Sequence, residues 1–138
     1  MHNKWWVGLA LAALMSASAW AGDAVAIRAS VPFDFMAGNQ RVPAGEYVFA
    51  QDWFRRQLQI GSTDAKVTLS IVFNAGSYNR TGFASALVFD RYGDRYFLRE
   101  VLAGENAVGA RLPKSRAEKE EMVRNAPVQV RLTAAAAR

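Results

Sequence analysis

Apolar and polar residues alternate along much of this chain, and the pattern is clearest in the segment VAIRASVPFDF, residues 25–35. A two-residue period predicts a strand with one face buried. Pro32 has no N–H for a ladder hydrogen bond, so it places the segment at a sheet edge or at a bulge. The apolar face consists of Val25, Ile27, Ala29, Val31, Phe33 and Phe35.

Two interpretations of this segment follow from the same pattern. In the first, residues 25–35 form an edge strand of the protein's own fold, bent at Pro32 so that it serves two sheets. In the second, residues 25–30 form an assembly strand that completes the sheet of a neighbouring copy through main-chain hydrogen bonds and side-chain pockets. Such a head-to-tail contact does not close on itself and gives filaments. The sequence leaves both interpretations open.

The rest of the chain also predicts short strands separated by turns. KVTLSIVF at 66–73 alternates clearly, and FASALVFD and YFLREVL flank a turn, DRYGD, at 90–94. This turn predicts a hairpin with Gly93 at positive φ, whereas the polar segment NAGSYNRTG at 74–82 is typical of an exposed loop. The predicted core consists of Val67, Leu69, Ile71, Phe73, Phe33, Phe35, Phe83, Leu87, Phe89, Phe97 and Val101.

The predicted fold class is all-β. Because no helical crossover separates the strands, we expect antiparallel pairing in a sandwich or small barrel of about six to eight strands. One short surface helix is predicted near 115–125, where Ser115 and Glu118 have the spacing of a capping box. Residues 127–138 predict either a last strand or a disordered tail.

The first residues have the pattern of an export signal. A short start with Lys4 precedes an uncharged apolar run, WWVGLALAALM, and Ala19-Trp20-Ala21 fits a cleavage site. We therefore expect residues 1–21 to be a signal peptide, residues 22–138 to form a single β domain, and the protein to be periplasmic or extracellular.

The composition restricts the chemistry of the expected exported chain. The sequence has no cysteine and one histidine, His2, which lies in the expected signal. Nucleophilic triads with histidine, and typical zinc sites, therefore lack their residues. DRYGD also lacks the carboxylate spacing of a calcium loop. We expect a non-enzyme with no cofactor, no metal site and no catalytic residue.

Charge and one aromatic segment suggest what the protein contacts. The net charge is +5, which fits a solvated basic surface or attraction to anionic envelope components. The segment DWFRRQ offers Trp53, Phe54, Arg55 and Arg56 as a surface contact loop for sugar or a membrane surface. Alternatively, Trp53 folds back and plugs one end of the sandwich.

Four segments together resemble a known but uncharacterised family. They are the PFDF start, PAG-x-Y at 43–47, RYG-x-x-YFL at 91–98 and LP-x-S-x-x-E at 112–118. In this order they are similar to a family of small exported β-rich proteins common in acidobacterial genomes, over residues 29–121. The resemblance implies an exported location and carries no activity and no residue role.

Two functional hypotheses remain at this point. The first is an exported structural or interaction protein of the cell envelope or exterior that self-associates through its N-terminal strand. The alternative is a ligand- or glycan-binding β-sandwich or barrel module. The expected partners are a second copy or anionic envelope components, with no nucleic acid and no membrane span in the processed chain.

Overall fold

The computed structural model describes residues 25–78, 85–104 and 108–136. The expected signal peptide, and Phe83 of the predicted core, lie outside these ranges. Two sheets and one short helix confirm the predicted all-β sandwich. In chain order the elements are β1 (Val25–Val31), β2 (Phe35–Ala37), β3 (Gln40–Val42), β4 (Gly45–Asp52), β5 (Gln57–Ser62), β6 (Thr68–Val72), β7 (Asn74–Tyr78), β8 (Ala86–Tyr92), β9 (Arg95–Leu102), β10 (Val108–Arg111), α1 (Arg116–Arg124), β11 (Val128–Thr133) and β12 (Ala135–Ala136).

The strands divide into a five-stranded and a seven-stranded sheet. The first has the order β12-β1-β4-β5-β6, and the second has β11-β8-β9-β10-β7 with β2 and β3 attached. Each strand pair is antiparallel except that of β2 with β9, which is parallel and aligns Phe35 with Tyr96. The segment YFLREVL, as β9, lies inside the larger sheet, with neighbours on both sides.

The chain passes from one sheet to the other four times, once at the turn of Pro43 and Ala44 between β3 and β4 and three times at corners. Pro32 lies between β1 and β2, Phe73 between β6 and β7, and Ala134 between β11 and β12. These corners divide segments that the sequence pattern treats as single strands, so the described residues form more strands than expected. The bend at Pro32 is confirmed: β1 pairs with β4 along all seven of its residues, and β2 belongs to the other sheet. The predicted edge position is wrong, because the two-residue strand β12 pairs with β1 on its other side at Ile27 and Arg28.

The apolar faces of the two sheets form one core between them. Leu69 and Phe73 are buried there, whereas Val67, Ile71 and Phe33 are partly buried against it. Four more predicted core residues are confirmed as buried, namely Phe35, Leu87, Phe89 and Val101. Ile27, Ala29 and Val31, from the apolar face predicted for the first strand, are buried with them.

Phe97 is buried, but on the opposite face of the seven-stranded sheet from the one predicted. Its ring packs edge-on against Tyr92, with centroids 5.6 Å apart. The physical reason is a bulge: Val88 pairs with Glu100 while Phe89 pairs with Leu98, so β9 carries one extra residue. A bulge changes which residues share a face, and a strict two-residue pattern therefore misplaces Phe97.

Two predicted turns and the tail have different bounds in the structure. The hairpin between β8 and β9 has a turn of only Gly93 and Asp94, because Tyr92 pairs with Arg95. The loop predicted at 74–82 is wrong for residues 74–78, which form β7 and pair with β10. The open question about the tail is answered in favour of strands, since β11 pairs with β8 and β12 pairs with β1.

Gly93 is expected to limit the stability of this hairpin through its backbone. Its φ is 62°, so Gly93→Val should lower the free energy of unfolding by about 1–3 kcal/mol, the cost of a strained backbone position. A Cβ there would find its nearest neighbour at 3.9 Å, so crowding does not contribute. Gly93→Asn is the matched control and should cost a fraction as much, because Asn adopts positive φ readily. Denaturant unfolding checks this. Equally small losses in the free energy of unfolding for Gly93→Val and Gly93→Asn would contradict it.

Candidate functional site

The predicted contact loop is the turn of residues 53–56 between β4 and β5. Its backbone is held at both ends: the Arg55 amide donates to Asp52 Oδ1 at 3.1 Å, and the Arg56 carbonyl accepts from the Phe73 amide at 3.0 Å. Arg56 has φ 56°, which closes the turn in the left-handed region. The loop therefore presents its side chains from a defined backbone.

Trp53 turns back towards the core, as one of the two sequence interpretations expected. Its indole N–H donates to Gln51 Oε1 at 2.9 Å, and its ring packs edge-on against Phe73 at 4.8 Å between centroids. The guanidinium of Arg56 lies 5.3 Å from the centre of the indole ring. These contacts occupy Trp53, so it is a poor stacking platform for a sugar.

Phe54 points the other way and is 97% exposed. It lies between Trp53 and the exposed residues Arg55 and Arg56. Val72, also exposed, lies on the neighbouring strand opposite Gln57, the first residue after the loop. Single exposed apolar residues are common, but a phenylalanine exposed on a fixed turn beside two arginines forms an amphipathic tip.

The predicted assembly strand is placed beside the start of this loop. Val25 pairs with Gln51, only two residues before Trp53. Ile27, Ala29 and Val31 of β1 are buried in the protein's own core, and Phe33 stacks on Tyr96 with centroids 3.7 Å apart. Assembly through this strand stays a prediction, and it would require β1 to exchange between copies because β4 already pairs with it.

The motifs that carry the family resemblance contact one another in pairs. Asp34 of PFDF accepts from the Ala44 amide and from Arg41, both at 2.8 Å, and these contacts hold the pKa of Asp34 below its usual value. The Tyr47 hydroxyl donates to the Pro43 carbonyl within PAG-x-Y. These residues fix turns, and the resemblance adds no chemistry beyond that.

The motifs RYG-x-x-YFL and LP-x-S-x-x-E form the second pair, and their contacts anchor α1 on the outer face of the seven-stranded sheet. Tyr92 donates to Glu118 Oε2 at 2.9 Å, and Arg95 donates to Glu121 Oε1 at 2.9 Å. Both glutamates are buried, whereas Val123 is 87% exposed. The predicted cap is half confirmed: Ser115 accepts from the Glu118 amide, but the Glu118 carboxylate faces the sheet and does not return to Ser115.

Further carboxylates are buried on this outer face, next to half-exposed cations. Asp90 lies 3.6 Å from Arg99 and 3.9 Å from Lys114. Glu100 lies 3.3 Å from Arg111. The only sequence signal for this layer is the pair of charged residues, Arg99 and Glu100, within an otherwise apolar strand.

The Glu100 carboxylate also lies against the polar strand β7 and leaves no room for a side chain at Gly76 and Gly109. The Ser77 amide donates to its carboxylate at 3.0 Å. A Cβ at Gly109 would lie 2.7 Å from Glu100 Oε2, and one at Gly76 would lie closer still. Residues 74–78 form a strand by pairing with β10, and the Glu100 carboxylate lies against its backbone, a contact that a hydropathy pattern does not register.

No family model, curated protein or solved structure matches the chain. Within the described ranges, no helix is long and apolar enough to cross a membrane. No group of three or more His, Cys, Asp or Glu side chains suited to a metal ion occurs among those same residues.

Tyr92, the buried tyrosine under α1, makes the stability of the fold depend on pH. Burial of its hydroxyl, together with the hydrogen bond to Glu118, raises the pKa of Tyr92 well above the usual value of 10.0. The folded protein thus holds this proton more tightly than the unfolded chain does. Tyr92 contributes stability that is fully present below about pH 10 and is lost as the pH rises towards the folded-state pKa.

Tyr92→Phe is expected to lower the free energy of unfolding at neutral pH by about 1–3 kcal/mol, because the buried Glu118 loses a donor. The difference in the free energy of unfolding between wild type and Tyr92→Phe should become smaller above about pH 10. Tyr47, whose pKa is also raised by burial, is present in both proteins, so the difference isolates Tyr92. Denaturant unfolding across this pH range checks the prediction, and a gap that stays constant would contradict it.

Proposed function

We propose that the protein is an exported, non-enzymatic interaction protein of the cell envelope that adsorbs to anionic lipid surfaces through the contact loop. The observation that carries the proposal is Phe54, which is almost fully exposed on a turn whose backbone is fixed at both ends. An exposed aromatic side chain can enter the interface between headgroups and acyl chains.

The charges around Phe54 support an anionic surface as the partner. The nearby ion pair between Arg55 and Asp52 is long, at 3.9 Å, with an exposed guanidinium. Arg56 lies over the indole of Trp53 and has no carboxylate partner among the described residues. Each basic side chain near an anionic membrane contributes about 1 kcal/mol, so the two arginines and Phe54 act together at one tip.

Ligand or glycan binding is the second candidate, and one observation favours it. A cleft of about 300 Å³ lies at the junction of β2 and β9, and Tyr96, Arg41 and Asp94 contribute to its lining. This volume is at the lower limit for a site that encloses an organic ligand. Phe33 covers one face of Tyr96, and Arg41 is paired with Asp34. The contact loop is therefore the better-supported site.

Vesicle sedimentation of the processed protein tests the proposal. Vesicles that contain phosphatidylglycerol should retain the protein, pure phosphatidylcholine should not, and added salt should release it. Arg55→Gln with Arg56→Gln should weaken binding about thirtyfold, the equivalent of about 2 kcal/mol. Phe54→Ser should also weaken binding.

Val123→Ser is the matched control, because Val123 is an exposed apolar residue on α1, outside the loop. It should leave vesicle binding unchanged. If vesicles that contain phosphatidylglycerol retain wild type and the loop variants equally, the proposal is contradicted. Binding of a soluble oligosaccharide that Tyr96→Ala abolishes and Phe54→Ser leaves intact would favour the second candidate.

A further inference from the structure

A small cleft opens on the outer face of the seven-stranded sheet, where β7, β9 and β10 meet the start of α1. Its volume is about 170 Å³, and its polar lining comes from Asn74, Arg99, Arg111, Lys114 and Glu118. Sites for drug-sized ligands enclose roughly 300–1,000 Å³. This cleft therefore suits a single small group rather than an extended ligand.

Three cations line the cleft, and three carboxylates hold them from beneath. Asp90, Glu100 and Glu118 have side chains that are 4%, 4% and 7% exposed, whereas the cations paired with them are 39–43% exposed. The negative charge therefore lies towards the sheet, and the positive charge lies towards solvent and the cleft.

The cations keep most of their hydrogen-bond donors. Arg99 lies 3.6 Å from Asp90, and Lys114 lies 3.9 Å from Asp90 and 3.6 Å from Glu118, all beyond hydrogen-bond distance. Arg111 donates Nε to Glu100 and one terminal nitrogen to Ser77, which leaves its other terminal nitrogen. A guanidinium has five N–H donors and an ammonium has three, so many donors converge here without a partner in the described part of the chain.

We propose that this cleft binds a tetrahedral oxyanion, namely a phosphate group, with Arg99 and Lys114 as the main donors and Arg111 as the third. Arginine and lysine donate short, charge-assisted hydrogen bonds to phosphate oxygens. Glu118 lines the cleft as well, but its Oε2 accepts from Tyr92 on the side of the sheet and lies 3.6 Å from the Lys114 ammonium. The three carboxylates orient the cations, and the phosphate adds the ligand that their free donors lack.

One backbone hydrogen bond connects the contact loop to the chain at the edge of the cleft. The Phe73 amide bonds to the Arg56 carbonyl of that loop, and the next residue, Asn74, lines the cleft. The phosphate could therefore be a lipid headgroup or a free ion. The inference stands on the cleft itself and does not require that the loop adsorbs to lipid.

A side-chain NMR titration of the purified protein with inorganic phosphate, at constant ionic strength and with chloride as the reference, tests the inference. Saturable shifts are expected at the Arg99, Arg111 and Lys114 side chains. Lys114→Gln or Arg99→Gln should weaken binding about tenfold or more. Lys114→Arg keeps the charge and the donors and should retain binding, which separates loss of the site from loss of the fold.

Arg116→Gln is the matched control, since Arg116 is near the cleft in sequence, but it is highly exposed and pairs with Glu120. It should bind phosphate as wild type does. If the shifts appear with phosphatidylglycerol vesicles and not with inorganic phosphate, the source is a headgroup. Shifts that match those in chloride, or that persist in Lys114→Gln and Arg99→Gln, would overturn the inference. Phosphate binding without vesicle retention would instead refute only the proposed loop function.

Discussion

The buried carboxylates on the outer face of the seven-stranded sheet are the constraint on which the rest of that face depends. Asp90, Glu100 and Glu118 are nearly inaccessible, and a buried charge that loses its partner costs about 3–5 kcal/mol. Each therefore has cations or hydroxyl and amide donors around it. This requirement places the cations on β9 and β10, the glycines against Glu100, and the helix over Tyr92.

The same constraint connects the fold to its proposed contacts. Because the carboxylates lie beneath, the guanidinium and ammonium groups point outwards and keep donors that no group in residues 25–78, 85–104 and 108–136 accepts. The corner at Phe73 links this face to the loop that carries Phe54, because the Phe73 amide donates to the Arg56 carbonyl and the Phe73 ring packs against Trp53. The strand that follows this corner begins at Asn74, which lines the cationic cleft.

The sequence predicts those features that depend on local pattern. Alternation locates β1 and β6, Pro32 indicates the corner, and Gly93 and Ser115 indicate a turn and a cap. The remaining features depend on partners distant in sequence. The bulge at Arg99 moves Phe97 to the outer face, the polar segment β7 pairs with β10 and contacts Glu100, and α1 buries glutamates while Met122 and Val123 are exposed. In the contact loop, composition alone could not decide which of two adjacent aromatic residues faces solvent.

Buried carboxylates, rather than apolar side chains, connect α1 to the sheet. This arrangement can be tested by hydrogen exchange of the helix amides from Lys119 to Asn125 in wild type, Glu118→Ala and Met122→Ala. Alanine is the best helix former, so lost protection reports undocking rather than weaker helix propensity. We expect Glu118→Ala to lose about tenfold or more of the protection and Met122→Ala to keep it. Protection that is lost in Met122→Ala and kept in Glu118→Ala would contradict it.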